Sequence, residues 1–299
     1  ILRYGSDSRA SDKYSKSWIM KLTMLVCCHK EDIMATAEPY MPLQVGKDIS
    51  KIDLNIQGDN TGDNISCKNQ SYCELTGMYW AWKNLKNVDY VGLCHYRRYF
   101  DFHGQCKRGF PITVFPTKDF YKMDLGVPAR ILKQLQTGII IMPKGINYDC
   151  SLFMNYCYAH VSDDLRTLEA VIHETQPPIY REAFNYIMRS SHVLKHFNMF
   201  IMSWTEFDKY CNWLFPLLNE VEKRIDISHY DTVQKRVYGY MAERLLNVYV
   251  RAHKIPVNSC PIIWFNDNAE NRQSFFRMKI RHFLNALSFY FARLGRSGK

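Results

Sequence analysis

Tyr90-Val91-Gly92-Leu93-Cys94-His95-Tyr96-Arg97-Arg98-Tyr99-Phe100 is the stretch that decides the fold. Its first five residues form a short, nearly continuous apolar run, the pattern of a strand buried on both faces. The run then gives way to His, Tyr and two Arg. Open α/β sheets take their ligands at the carboxyl ends of such strands. Two neighbouring guanidiniums suit phosphate, because each is a planar fork of donors that keeps its charge at any working pH. A structural pairing of the arginines with carboxylates across the sheet explains the same residues, and spacing alone does not separate the two readings.

Working outward, three further apolar runs read as strands: Leu22–Cys28, 138–142 and 198–202. Helix periodicity lies between and after them. Residues 74–85 carry Leu75, Met78, Tyr79 and Trp82 on one stripe. Residues 163–174 follow Ser162 as N-cap, and 205–224 start at Thr205 with Asp208 placed for a capping box. Residues 231–253 form a long amphipathic segment through Val237, Met241, Leu245 and Val248. Strand and helix in alternation define an α/β domain with a mostly parallel central sheet flanked by helices. The Gly-, Pro- and aromatic-rich residues 102–122 read as a loop over one end of the sheet. The division expected is a leader or appended segment at 1–19, one domain at 20–268, and a basic amphipathic helix with its tail at 269–299.

The chain has 299 residues, of which 47% are hydrophobic and 23% charged, an ordinary globular composition. Its 39 Lys and Arg against 29 Asp and Glu leave a net charge of +10, which favours an anionic partner. No stretch reaches the roughly 18 uninterrupted apolar residues of a spanning helix. The apolar segment at 19–28 is short, carries Lys21 and lacks a small-residue cleavage site, which argues against a signal peptide. The ten cysteines include no C-x-x-C pair, so neither a disulfide framework nor a zinc site is expected; the thiols fit a reducing compartment.

The densest set of motifs runs from 61 to 100. It holds Gly62-Asp63-Asn64-Ile65-Ser66, Lys68-Asn69, Glu74-Leu75-Thr76, Tyr79-Trp80-Ala81-Trp82-Lys83-Asn84 and the His95-Tyr96-Arg97-Arg98 group. Tyr79 and Trp80 are candidates for a base or sugar pocket, with core as the default reading; Lys68 and Lys83 are candidates for a diphosphate, with a solvated surface as the default for each. Together with Tyr40, Gln44-Val45-Gly46, Asn155-Tyr156, Tyr158-Ala159-His160, Asn198-Met199-Phe200-Ile201-Met202 and 236–248, these motifs resemble a bacterial glycosyltransferase family of capsule, exopolysaccharide and O-antigen synthesis. That family was long catalogued as a domain of unknown function and includes galactofuranosyltransferases. The likeness runs from about residue 22 to 265.

The resemblance implies a single Rossmann-like domain of the A-type glycosyltransferase kind. It implies hexosyl transfer, galactofuranosyl among the possibilities, from a nucleotide diphosphate sugar, UDP-linked, to a lipid-linked glycan, with inversion. Donor contacts are expected from His95, Arg97, Arg98, Asp63, Asn64, Lys68, Tyr79, Trp80 and Lys83, and acceptor contacts from His160 and Asn198. Enzymes of this kind usually hold a divalent metal with Asp-x-Asp after a central strand; this chain has no Asp-x-Asp. No metal ligand is therefore assigned and no cofactor is required, though Mn²⁺ or Mg²⁺ is left open. Cationic side chains would instead face the leaving diphosphate. An inverting transfer needs a carboxylate to take the acceptor's proton; Glu243 is the candidate, with Asp231, Glu206 and Asp149 in reserve. An ion pair of Glu243 with Lys235, Arg236 or Arg244 is the structural alternative.

Residues 272–296 place Phe276, Ile280, Phe283, Leu284, Leu287, Phe291 and Leu294 on one helical stripe flanked by Arg and Lys. The pattern suits an anionic membrane surface; a helix docked on the body or on another subunit is the alternative, and the absence of acidic residues after Glu270 favours the membrane. The expected location is cytoplasmic, peripheral to the inner face of the cell membrane. A basic nucleic-acid-binding protein is the rival from another class, but no nucleic-acid motif supports it. A non-catalytic scaffold for polysaccharide assembly is the third reading. Donor turnover separates the enzyme from both.

Overall fold

The computed structural model describes residues 20–268, together with Ile280, Phe283, Leu284 and Leu287. The proposed leader 1–19 and the rest of the tail lie outside the described residues. Twelve strands are found among them: β1 Leu22–Cys28, β2 Tyr40–Gln44, β3 Gln57–Gly58, β4 Tyr90–His95, β5 Arg98–Phe100, β6 Ile112–Phe115, β7 Ile140–Pro143, β8 Ile146–Asn147, β9 Val193–Leu194, β10 Phe200–Ser203, β11 Val257–Cys260 and β12 Ile262–Phe265. The α-helices are α1 Asn69–Tyr72, α2 Leu75–Asn84, α3 Ala129–Gln136, α4 Leu152–Ala159, α5 Ser162–Thr175, α6 Pro178–Asn185, α7 Trp204–Glu222 and α8 Val237–Ala252.

The central sheet runs β11-β7-β10-β4-β1-β2-β3. Its pairs are parallel except where β10 sits antiparallel between β4 and β7. β8 and β9 form a separate antiparallel pair. The expectation of a mostly parallel sheet flanked by helices holds. Its strands are short and apolar because both faces are covered. Along β1, Leu25 and Cys27 enter one hydrophobic cluster while Met24 and Val26 enter the other. The larger cluster packs α2 and α4–α8 on one face; the smaller gathers β5, β12 and α3 on the other. At roughly 25 cal/mol per Å² of apolar area, these two layers are the main source of stability. Gly92 lies where three strands crowd, and a Cβ there would overlap the Met24 sulfur.

Several expectations change. Residues 102–122 are not all loop: β6 pairs in parallel with β12, and β12 pairs with β5. This small extension was hidden by its short strands. The N-cap of α7 is Ser203, whose side chain accepts the Glu206 amide, rather than Thr205. Asp208 instead accepts the Trp82 indole N–H at 2.7 Å. The N-cap of α5 is Val161, with no side-chain bond, rather than Ser162. The helix expected from 231 begins only at Val237. Asp231 Oδ1 accepts the Val233 and Gln234 amides at 2.8 and 2.7 Å, closing a turn that a short 3₁₀ segment, Gln234–Arg236, continues.

Candidate active site

The motif at 94–98 is a tight hairpin. β4 ends at His95, Tyr96 and Arg97 turn the chain, and β5 starts at Arg98, so His95 and Arg98 face each other across the pair. β12 then lies against β5 with Trp264 opposite Arg98. Arg98 is thereby layered between two rings, its guanidinium carbon 4.6 Å from the Phe197 centroid and 4.8 Å from that of Trp264. Its Nε is buried without a hydrogen-bond partner. Arg97 is held differently, with Nε donating to Asp32 at 2.7 Å.

These residues border a cavity of about 670 Å³ beyond the carboxyl ends of β1 and β4, the position where α/β sheets take ligands. The cavity lining includes four cations, Arg97, Arg98, Lys235 and Arg236, and one carboxylate, Glu74. Among the described residues, Arg98, Lys235 and Arg236 have no carboxylate within ion-pair distance. The irregular start of α8 brings the last two to the rim. Arg236 Nε donates to Cys73 Sγ at 3.3 Å. Cys73 takes a φ of 53° where α1 ends and α2 begins, and the next residue, Glu74, enters the cavity wall. Burial pushes the Glu74 carboxyl up, against the opposing hydrogen bond from Asn198. Burial and the Arg98 charge lower His95 to about 4, leaving a neutral ring whose Nε2–H donates to the Phe197 carbonyl at 2.8 Å. Burial likewise lowers His29, also on the lining, with Lys30, Arg236 and Arg97 adding to the effect.

The lining does not compose a divalent-cation site: four cations face one carboxylate that is already hydrogen-bonded. No group of three or more His, Cys, Asp or Glu suited to a metal is found among the described residues.

Of the expected donor residues, His95, Arg97 and Arg98 come together at the cavity. Asp63, Asn64, Lys68, Tyr79, Trp80 and Lys83 do not line it. Asp63 accepts the Tyr79 hydroxyl at 3.1 Å, and Asn64 accepts the Ser66 amide at 3.1 Å. Lys68 pairs with Glu222 at 2.6 Å. Trp80 is buried and donates to Thr61, while Lys83 lies 3.3 Å above the Trp82 ring. Asn198 is buried beside the cavity, its Nδ2 donating to Glu74 Oε1 at 2.7 Å. His160 stacks on Tyr240 at 4.0 Å, away from the lining, and burial and Arg244 lower it to about 4.

Glu243 is also outside the lining. Its Oε1 accepts the Phe197 amide at 2.7 Å, and Oε2 lies 3.5 Å from His196 Nδ1 and 3.7 Å from Arg244. Burial would raise this carboxyl, but His196, Arg244 and the amide outweigh it and hold it at about 2. The reserves are occupied elsewhere: Asp231 in its turn, Glu206 with the Tyr249 hydroxyl at 2.6 Å, and Asp149 exposed off the lining. Glu74 and Arg236 were not singled out from sequence as site residues. Both flank helix starts, where charge is ordinary; the useful signal was an acid opening an otherwise apolar helix, three residues from the strongly aromatic Gly77–Trp82 run.

Residues 23–254 match DUF4422, a family described as a domain of unknown function, and the chain belongs to that family. Among solved structures it is similar to an apo structure of WbbM, a bifunctional glycosyltransferase. The TM-score is 0.72 at 28% identity, over 83% of this chain and 46% of that one. The chain therefore spans under half the length of that relative. No curated protein matches.

Proposed function

We propose that the chain is a glycosyltransferase that moves a hexosyl group from a nucleotide diphosphate sugar to a lipid-linked glycan in bacterial polysaccharide synthesis. The observation that carries this reading is the cavity beyond β1 and β4, where four cations, one of them Arg98 with a buried unpartnered Nε, surround one half-buried carboxylate. The likeness to WbbM supports the reaction class. In the transfer, the acceptor oxygen bonds to the anomeric carbon as the bond to the diphosphate oxygen breaks, with inversion. Negative charge grows on the departing diphosphate, and Arg98, Lys235 and Arg236 are the groups to stabilise it without a metal. The acceptor's proton passes to a carboxylate. Glu74 suits that step better than Glu243, because it lines the cavity and burial raises its proton affinity. A uridine diphosphate hexose, galactofuranosyl included, is the donor we put forward.

Calorimetry with a panel of nucleotide sugars, run with EDTA and with Mn²⁺, tests the reading. Binding of at least one donor and transfer in EDTA are expected. Transfer lost in EDTA and restored by Mn²⁺ would assign the counter-charge to a metal.

The same reading places the enzyme at the cytoplasmic face of a membrane. Ile280, Phe283, Leu284 and Leu287 are helical and all exposed, at i, i+3, i+4 and i+7, in a segment rich in Arg and Lys. No helix among the described residues is long and apolar enough to cross a membrane, so attachment would be interfacial. Co-sedimentation with anionic vesicles should be strong for the full chain, weaken with salt and disappear when the chain ends at Asn271. Equal binding by both forms would remove the tail from this role.

A further inference from the structure

Phe197 and Asn198 are consecutive non-glycine residues in the left-handed region, with φ of 73° and 51°. Such a pair is costly, more so for a bulky aromatic, and persists only where its surroundings over-determine it. Here the Phe197 carbonyl, the Phe197 ring and the Asn198 Nδ2 are all engaged, while Asn198 Oδ1 is buried without a partner. The Phe197 carbonyl accepts from His95 Nε2. The Phe197 ring lies on the Arg98 guanidinium. Asn198 Nδ2 donates to Glu74 Oε1 and, at 3.2 Å, to the Gly239 carbonyl. On the opposite side, the Phe197 amide donates to Glu243, which His196 and Arg244 flank; the Tyr148 hydroxyl lies 2.7 Å from His196 Nε2.

We propose that Glu243 is a positioning residue: by holding the Phe197 amide it locks the left-handed Phe197–Asn198 pair, and through that pair it sets the tautomer of His95, the plane of Arg98 and the orientation of Glu74. The proposal rests on the glycosyltransferase reading for its kinetic consequences, but the lock itself has a readout independent of turnover. A carbonyl only accepts, so an intact lock fixes the proton of neutral His95 on Nε2 and leaves Nδ1 as the lone-pair nitrogen. Glutamine at 243 still presents an oxygen to the Phe197 amide, whereas alanine does not. A positioning role therefore predicts rescue by the conservative change; a proton-accepting role predicts none.

The experiment compares Glu243→Gln, Glu243→Ala and Asn198→Ala with the parent chain. ¹⁵N NMR of the histidine rings should find the Nε2–H form at His95 in the parent and in Glu243→Gln, and a mixture in Glu243→Ala. Turnover should stay within about threefold for Glu243→Gln and fall about 10- to 100-fold for Glu243→Ala, mainly in kcat. Asn198→Ala removes the donor that steadies the charged form of Glu74, so the acid limb of the pH–rate profile should move to higher pH. The groups facing Glu74 there are Cys27 of β1, Cys73, Arg98 of β5, Tyr210 of α7, and Arg236, Tyr240 and Glu243 at α8; none is altered by that change. If Glu243→Ala does not fold, Asn198→Ala and Glu243→Gln decide the matter between them. An unchanged acid limb in Asn198→Ala, an unchanged His95 tautomer in Glu243→Ala, or a Glu243→Gln enzyme as inactive as Glu74→Gln overturns the proposal. A parent chain that binds no nucleotide sugar while the tautomer responds as described overturns the donor reading alone.

Discussion

Two regions of this molecule look alike as sequence and differ as structure. The α2–α7 face carries Lys68, Tyr79, Trp80, Trp82 and Lys83, a basic and aromatic set of the kind that binds nucleotides. Its polar groups are all consumed: Lys68 by Glu222, Tyr79 by Asp63, Trp80 by Thr61, Trp82 by Asp208, and Lys83 by the Trp82 face. The cavity beyond β4 also has basic and aromatic residues. Its Arg98 keeps a buried Nε with no partner, and its Lys235 and Arg236 keep charge without a carboxylate. The cavity is thus set apart by cations that share its lining without a carboxylate partner rather than by composition; Arg181 Nε and Arg244 Nε are also buried without a partner, but off that lining, and a buried donor without a partner costs free energy unless a ligand meets it.

The contrast is tested most sharply at Glu74. Glu74→Gln keeps the shape and a hydrogen bond from Asn198, and should lower turnover about 10²–10⁴-fold with donor affinity retained, as read by steady-state kinetics beside calorimetry. Next are the unspent cations. Arg98→Ala or Arg236→Ala should weaken donor binding about 10- to 100-fold, the equivalent of about 1.5–3 kcal/mol for hydrogen bonds to a charged group. Wild-type affinity in both would dissolve the distinction between the two regions.

Acidification gives a smaller effect spread over pH. His95 and His160 stay neutral in the fold down to about 4 but protonate near 6.5 when unfolded. Between those values the unfolded chain binds more protons. Their contribution is therefore intact above pH 6.5 and is lost as pH falls toward 4. Denaturant melts at pH 7 and 4.5 should register the loss, and His160→Gln should reduce it without touching the cavity. The smallest effect belongs to the consumed region. Lys83→Ala should cost about 0.5–1 kcal/mol of stability from its ring contact and leave kcat/KM unchanged; a large kinetic defect would return that face to the active site.

Much of this was legible in the residues themselves. β1, β4, β7 and β10 are continuous apolar runs because each is covered on both faces, and a buried strand leaves little ambiguity. β3 and β5 are two and three residues long, too brief for periodicity to register, β6 is only half-buried along most of its length, and β2 is interrupted by Pro42. His95, Arg97 and Arg98 could be placed because they directly follow a buried strand. Glu74 and Arg236 reach the same cavity from helix starts distant in sequence, and only the break at Cys73 and the 3₁₀ turn before α8 bring them there. Glu243 was drawn out by its chemistry, but which of its neighbours would claim its oxygens was not visible in one dimension.

The reversed direction of β10 has a consequence for how much the chain can be lengthened. Because β10 runs antiparallel to β4, with Phe200 opposite Leu93, it is the beginning of this strand that reaches the cavity. Phe200 and Met202 fill one hydrophobic layer while Met199 and Ile201 fill the other. One extra residue after Asn198 would either expel the Phe197–Asn198 pair from its contacts or slide β10 by one place and exchange its two sets of side chains between the layers. The segment joining β9 to β10 is thus a fixed-length spacer, in which loop length itself is part of the cavity's geometry.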